Sequence, residues 1–299
     1  MTKPLIFRGC ATALITPFQK DRPEEIDHDA WSSLVQRQAE AGVDALVVAG
    51  TTGEASALTG AEHRFLIETA KRNAPTLPVI AGCGASTTAA AAALARDAAE
   101  TGADAILVVT PYYNKCSQEG LYRHYMTIAD QSTVPVILYE VPSRTGMKVT
   151  LDTYIRLSAH ENIAALKDAT GDLERAVLLR REVGDALPLY AGSDGVTVPM
   201  LSVSAVGVIS VVSNLLPAMT AEMCRLWFDG ETLRAAEMQC RLAPLIRALF
   251  SEVNPIPVKA IMAALGYCAD TYRLPLCEMD AGAVEMLVRE YKRISETES

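Results

Sequence analysis

The chain has 299 residues and half of them are hydrophobic, which is enough for one large core and excludes a disordered chain or a small disulfide-stabilised domain. Its formal net charge is −9, so its surface is poorly suited to nucleic acid or to an anionic membrane. Aromatic residues make up only 6% of the chain, which favours helices packed around strands over a β-sandwich.

Nothing in the sequence resembles a targeting or membrane segment. The apolar stretch near the start is interrupted by Thr12, Thr16 and Pro17, and no run approaches the roughly 18 apolar residues of a membrane span. The seven cysteines are odd in number and scattered, without a C-x-x-C pair. We therefore expect a reduced, cytoplasmic protein with no membrane partner.

Short runs rich in Val, Ile and Leu alternate with longer amphipathic stretches along the first 216 residues. The runs predict eight strands, at residues 10–16, 45–49, 78–82, 105–110, 135–139, 163–167, 188–191 and 207–210. The stretches between them include predicted helices at residues 28–41, 61–73, 87–101 and 119–131. Residues of the N-cap type precede the helical stretches, namely Asp27, Thr59, Ser86, Ser117 and Thr150.

This alternation predicts an α/β fold. Eight strand–helix units in about 210 residues match a closed (β/α)8 TIM barrel over residues 1–216, with an open doubly wound sheet as the alternative. Residues 217–299 contain no further strand pattern and predict helices, including 221–228, 233–250 and 281–293. No linker of Pro, Gly and Ser separates them, so we expect a helical appendage packed on the barrel.

Polar and reactive side chains follow several predicted strands. In a barrel the carboxyl ends of all strands meet at one face, where active sites of this fold form. The segments at that face are 50–54, 111–114, 139–144, 167, 192–194 and 209–210.

Lys167 closes an apolar strand, so we expect its amine to enter the barrel mouth. Burial there would disfavour the ammonium form and free a nucleophilic amine, which condenses with a ketone or aldehyde to an imine. The alternative is a surface lysine that extends into solvent or pairs with Asp168.

Tyr139, Tyr113 and Thr52 supply hydroxyls for proton transfer, although a tyrosine at a strand end is also a common core residue. Thr51 and Thr52 lie in a bend that could seat a carboxylate or simply connect a strand to a helix.

Three other chemistries fit the sequence less well. A metal site would need histidines at strand ends, but His28, His63, His124 and His160 fall on or beside predicted helices. Pyridoxal phosphate on Lys167 would need a phosphate cradle, which residues 192–195 could imitate. A dinucleotide fold at residues 82–84 lacks the third glycine. We therefore expect neither a metal nor a cofactor.

The combination of these motifs resembles the dihydrodipicolinate synthase and N-acetylneuraminate lyase superfamily of pyruvate-dependent class I aldolases. The resemblance extends over essentially the whole chain from Gly9. It rests on residues 50–54 (GTTGE), 111–115 (PYYNK), 139–146 (YEVPSRTG), 167–172 (KDATGD), 207–210 (GVIS) and 254–259 (NPIPVK).

The resemblance implies a role for each candidate residue. Lys167 would form the imine with pyruvate, Thr51 and Thr52 would hold the pyruvate carboxylate, and Thr52, Tyr139 and Tyr113 would relay protons. Ile209 would offer a backbone carbonyl to the substrate. The counterpart of Tyr113 enters the site of a neighbouring subunit, so a homo-oligomer is implied, either a dimer or a tetramer of dimer pairs.

Arg144 distinguishes branches of this superfamily, since a guanidinium at the mouth can bind a second carboxylate. With the GTTGE segment it indicates the synthase branch, with L-aspartate 4-semialdehyde as acceptor and lysine biosynthesis as the pathway. N-acetylneuraminate lyase or 2-keto-3-deoxy sugar acid aldolase activity is the alternative, followed by a non-catalytic binding relative. Relatives of this type often have Asn where this chain has Glu140, whose side chain should point away from that of Tyr139.

Many relatives bind the end product lysine in a crevice between subunits. Tyr112 and His63 match residues of that crevice, but Ala90 stands where a carboxylate would grip the lysine ammonium, and Gly60 and Ser86 replace a histidine and an asparagine. The resemblance therefore predicts little or no feedback inhibition by lysine.

Overall fold

The computed structural model describes residues 3–295, and its centre is a closed barrel of eight parallel strands. Each strand pairs with its neighbours in sequence, and β8 pairs with β1. The strands are β1 Gly9–Ala13, β2 Ala45–Val48, β3 Val79–Gly82, β4 Ala105–Val109, β5 Val136–Glu140, β6 Ile163–Asp168, β7 Leu189–Ala191 and β8 Gly207–Ser210. The prediction of a TIM barrel is confirmed, and the open doubly wound sheet is excluded.

Helices surround the barrel and continue beyond its last strand. Eight of them lie before residue 216, and they are α1 His28–Glu40, α2 Gly60–Asn73, α3 Thr88–Glu100, α4 Gln118–Gln131, α5 Pro142–Thr145, α6 Leu151–Ser158, α7 Leu173–Val183 and α8 Thr197–Ser202. Four further helices follow, and they are α9 Pro217–Phe228, α10 Thr232–Leu249, α11 Ile256–Ala264 and α12 Ala281–Ser295.

Four of the five predicted helix caps are confirmed. Asp27, Thr59, Ser117 and Thr150 each accept a hydrogen bond from a backbone N–H in the first turn of the helix that follows. The predicted cap Ser86 is wrong by one residue. The side chain of Thr87 accepts from the backbone N–H of Ala90, because α3 begins at Thr88.

The amino-terminal end of the barrel is closed by aromatic side chains. Tyr190 lies inside the barrel and stacks on Phe7, with 4.2 Å between ring centroids, and its hydroxyl donates to the Phe7 carbonyl at 2.7 Å. Small residues such as Ala11, Ala45 and Ala105 fill the layers around it. Because the amino-terminal end is blocked, the barrel is open at its carboxyl-terminal face, where the reactive residues meet.

The helices after residue 216 share a second apolar cluster with the barrel. Leu242, Leu245 and Ile261 pack there with Leu34 of α1 and Ile15, which follows β1. α9 begins four residues before the predicted start because Pro217 occupies its first turn, where proline is well tolerated. α11 was not predicted from the sequence. Within residues 3–295, no helix is both long and apolar enough to span a membrane.

Candidate active site

An irregularity in the sheet turns Lys167 toward the barrel interior. The register of β5 and β6 shifts after Val136, so that Ala164 is an additional residue in β6. After the shift Tyr139 pairs with Lys167, and both side chains point inward, since paired residues of parallel strands share a face. Without the extra residue Lys167 would pair with Glu140 and face outward. The bulge therefore determines that this lysine belongs to the barrel mouth.

The Lys167 amine lies in a nearly closed environment. The residue is only 6% exposed, and its Nζ lies 4.3 Å from the centroid of the Tyr139 ring. Burial lowers the pKa of Lys167 to about 8, the carboxylate of Asp194 opposes this change, and the Arg144 guanidinium contributes to it. About a tenth of these amines are therefore uncharged at pH 7, roughly 300 times the fraction for an ordinary lysine.

The Tyr139 phenol is buried beside a threonine hydroxyl, but this threonine is Thr51. Burial raises the pKa of Tyr139, while Arg144 and a hydrogen bond from the Thr51 side chain oppose the rise. The Thr52 hydroxyl instead accepts a hydrogen bond from Asn254 Nδ2 at 3.0 Å. The hydroxyl expected next to Tyr139 in the relay is thus one residue earlier than the sequence suggested, because the bend turns the two threonines in different directions.

Arg144 and Thr52 are connected through a residue that sequence reasoning left without a role. Asn254 lies just before α11, its carbonyl accepts from the Arg144 guanidinium at 2.6 Å, and its side chain holds Thr52. Asn254 Oδ1 is buried and has no hydrogen-bond partner within residues 3–295. Thr51, Tyr139, Arg144 and Asn254 line one cavity of about 380 Å³. In the sequence, Asn254 belongs to the motif at residues 254–259 (NPIPVK), and this motif was the feature that could have indicated the contact.

Two predicted residues stand apart from this group. Tyr113 has a left-handed backbone with φ 66° and a side chain that is 96% exposed, so its phenol lies outside the enclosed site of its own chain. Ile209 lies on β8 with its side chain in the barrel interior, where it is 1% exposed. β8 ends one residue later, at Ser210, so the Ile209 backbone is near the mouth.

Asp194 is a buried carboxylate that the sequence pattern did not single out. It is 3% exposed, and its Oδ2 accepts from the backbone N–H groups of Val211 and Val212 at 2.9 and 3.0 Å. These donors at the end of β8 are therefore already used, which disfavours a phosphate cradle at residues 192–195. Within residues 3–295, no group of three or more His, Cys, Asp or Glu side chains is arranged to hold a metal ion.

A buried ion pair fixes the loop that contains the two threonines. Lys259 of α11 is completely buried, and its Nζ lies 2.5 Å from Glu54 Oε1, at the end of that loop. The aromatic rings of Phe18 and Tyr272 lie within 5 Å of the same Nζ. Separation of the two groups would leave a buried charge without a partner, so the intact pair constrains the loop strongly. The carboxyl-terminal helices thus contribute directly to the shape of the site.

A family model described as the dihydrodipicolinate synthetase family matches residues 6–293 of this chain. The chain belongs to that family. The family match confirms the resemblance drawn from the six sequence motifs.

Individual family members are similar over nearly their whole length. The 4-hydroxy-tetrahydrodipicolinate synthase of Geobacter metallireducens is 42% identical over 97% of this chain and all of its own. The crystal structure of dihydrodipicolinate synthase from Aquifex aeolicus is 40% identical, with a TM-score of 0.93 over 97% of this chain and 98% of that chain. The chloride-inhibited enzyme from Acinetobacter baumannii, solved with pyruvate, is 38% identical, with a TM-score of 0.93 over 96% of this chain and 99% of that chain.

Proposed function

We propose that the chain is a lyase that condenses pyruvate with L-aspartate 4-semialdehyde to form 4-hydroxy-tetrahydrodipicolinate, a step of lysine biosynthesis. The observation that carries the proposal is the buried Lys167 amine, whose pKa is lowered to about 8 and which lies beside Tyr139, a residue that lines the cavity at the barrel mouth. Similar family members bear the name of this activity, and one was solved with pyruvate.

The first half of the reaction is imine formation. The free Lys167 amine attacks the pyruvate ketone, one water leaves, and the positively charged imine withdraws electrons from the neighbouring methyl carbon. Loss of a proton from that carbon gives an enamine, which attacks the aldehyde of the second substrate. This attack regenerates the imine on Lys167. The α-amino group of the semialdehyde then attacks the imine carbon and displaces the Lys167 amine, which closes the ring of the product and frees the enzyme. Amines and proton donors make and break all of these bonds, so no external cofactor is required.

Thr51 and Tyr139 are the proposed route for the protons. The leaving water needs a proton and the aldehyde oxygen acquires one. The Tyr139 ring lies beside the reacting amine, and its phenol is hydrogen-bonded to the Thr51 side chain. Thr52 is assigned to the pyruvate carboxylate, supported by its position in the bend and by the hydrogen bond that Asn254 gives it. The Ile209 carbonyl at the end of β8 is proposed to face the substrate.

Arg144 is the proposed binding group for the carboxylate of the acceptor. Its guanidinium lines the same cavity as Tyr139, and the bond to the Asn254 carbonyl fixes its direction. A charge-assisted contact with a carboxylate would orient the aldehyde toward the enamine. This assignment favours an amino-acid semialdehyde over a sugar as the acceptor.

A homo-oligomer completes the proposal. Tyr113 is 96% exposed and has a strained, left-handed backbone. Entry of its side chain into the site of a second copy, in a dimer or in a tetramer of dimer pairs, would explain this conformation. Tyr113 would then supply the last hydroxyl of the proton route.

An acceptor screen tests the proposed function. The purified enzyme is incubated with pyruvate and one of three aldehydes, namely aspartate 4-semialdehyde, N-acetylmannosamine or glyceraldehyde, and loss of pyruvate is followed. We expect rapid turnover only with the semialdehyde. Turnover with either sugar aldehyde at a comparable or greater kcat/KM would refute the acceptor assignment.

A further inference from the structure

Charged side chains lie directly behind the reacting pair, on the outer faces of β5 and β6. Tyr139 is paired with Lys167, and the next residues, Glu140 and Asp168, are paired with each other. Because successive side chains of a strand point to opposite faces, the reactive pair faces inward and the two carboxylates face outward. Glu140 is completely buried and Asp168 is 3% exposed. Two carboxylates in such surroundings require a cation.

Arg175, in the first turn of α7, is the cation shared by both strands. Its NH2 lies 2.6 Å from Glu140 Oε2 and donates to the Val149 carbonyl at 2.8 Å. Its NH1 lies 3.9 Å from Asp168 Oδ2. Within residues 3–295 neither NH1 nor that Asp168 oxygen has a hydrogen-bond partner. The guanidinium is thus hydrogen-bonded to Glu140 and lies within ion-pair distance of Asp168, and through these two charges it bridges the ends of the neighbouring strands.

The other hydrogen bonds of each carboxylate do not reach the other strand. Glu140 accepts from the Tyr154 hydroxyl at 2.6 Å and from the backbone N–H of Val149 at 2.9 Å. Asp168 Oδ1 accepts from the N–H and the hydroxyl of Thr170 at 2.8 and 2.6 Å. Arg175 is the one side chain in these contacts that approaches both carboxylates.

This bridge lies at the carboxyl ends of β5 and β6, where a backbone hydrogen bond from the Ala169 N–H to the Glu140 carbonyl at 3.0 Å also joins the strands. β5 ends at Glu140 and β6 ends at Asp168, so the pair occupies the last position of the two strands. The same two strands contain the register shift near Val136 on which the direction of Lys167 depends. A shift of either strand end by a fraction of an ångström would change the distance between the Tyr139 phenol and the Lys167 amine, and chemical steps are sensitive to such displacements.

We propose that Arg175 is a positioning residue for imine formation, because it joins Glu140 and Asp168 and so fixes the spacing of Tyr139 and Lys167 on the opposite face. The proposal rests on the proposed function. It assigns Arg175 no contact with a substrate, and it makes α7 the element that aligns the catalytic pair from outside the barrel.

The test measures how fast pyruvate is trapped on Lys167 by borohydride, at saturating pyruvate. We expect Arg175→Gln to slow trapping by about tenfold to a hundredfold. The KM for pyruvate should change much less, because the threonine bend is held by separate contacts from Asn254 and Lys259. If the wild type forms no adduct, the proposed function fails. If the wild type forms it and the variant traps at the wild-type rate, only the positioning role fails.

A second variant separates positioning from loss of stability. Arg175→Gln leaves two buried carboxylates without a cation, whereas Glu140→Gln with Arg175→Gln removes the closest charge pair and should bring the melting temperature back toward wild type. Positioning requires trapping to remain slow in this double variant. Recovery of the trapping rate together with the melting temperature would overturn the proposal.

Arg180→Gln is the matched control, since Arg180 lies in the last turn of the same helix and forms a solvent-accessible ion pair at 2.7 Å with Asp185, just beyond the helix end. This variant should leave the trapping rate and the melting temperature unchanged. A loss of trapping equal to that of Arg175→Gln would also overturn the proposal, because it would show that any change in α7 has this effect.

Discussion

Lys167 should titrate about 2.5 pH units below an exposed lysine, because its pKa is about 8 where an ordinary lysine has 10.5. The pKa of Lys167 is lowered and not raised, because burial destabilises the charged ammonium form and the proton is therefore released at lower pH. The difference corresponds to about 3 kcal/mol between the two protonation states. Reactivity toward a small neutral acylating reagent should therefore reach its plateau near pH 9 at Lys167.

The assay is mass spectrometry of peptides after brief labelling across a pH series, with the exposed Lys20 as internal reference. The midpoints of the pH curves for the two lysines are compared, and not the absolute labelling rates, because burial also limits access of the reagent to Lys167. Asp194→Asn should lower the midpoint further, since it removes a negative charge that raises the pKa of Lys167. A Lys167 midpoint equal to that of Lys20 would refute the reasoning.

Three further predictions concern the acceptor, regulation and stability. Arg144→Ala should cost about 2 to 4 kcal/mol in kcat/KM for aspartate semialdehyde but slow pyruvate trapping much less, since Arg144 is only a minor cause of the lowered Lys167 pKa, and equal damage to both would contradict its role. L-lysine at physiological concentration should leave activity nearly unchanged, since the resemblance implies that Ala90 replaces the carboxylate that would bind the lysine ammonium, and saturable inhibition would contradict this. Burial lowers the pKa of His124 to about 4, so the unfolded state binds more protons as pH falls below 6.5. His124→Gln should therefore reduce the loss of unfolding free energy between pH 7 and pH 5 by about 2 kcal/mol in chemical denaturation, and an unchanged loss would show that His124 is not responsible.

Local patterns predicted the parts of the fold that depend on local physics. A strand run, or a cap residue such as Thr59 or Ser117, determines structure only among its near neighbours in the chain. Its effect can therefore be predicted from the sequence. The cap of α3 was misplaced because Ser86 and Thr87 are both good caps, and only the backbone geometry selects between them.

The site depends on contacts between distant segments, and these could not be predicted from spacing. The bulge at Ala164 is a property of the pairing between two strands, and it decides the direction of Lys167. Asn254 and Lys259 reach the threonine bend from about 200 residues away in sequence. The outward direction of Glu140, by contrast, follows from simple alternation and is confirmed by its contact with Arg175.

The central claim is that Lys167 forms a covalent imine with pyruvate, and borohydride reduction tests it most directly. The intact protein is reduced with and without pyruvate, weighed by mass spectrometry and digested to locate the modification. The account predicts one reduced pyruvate adduct per chain, on Lys167, and none in Lys167→Arg, whose guanidinium lacks a usable nucleophilic lone pair. An adduct on another lysine, or no adduct in the wild type, would contradict it.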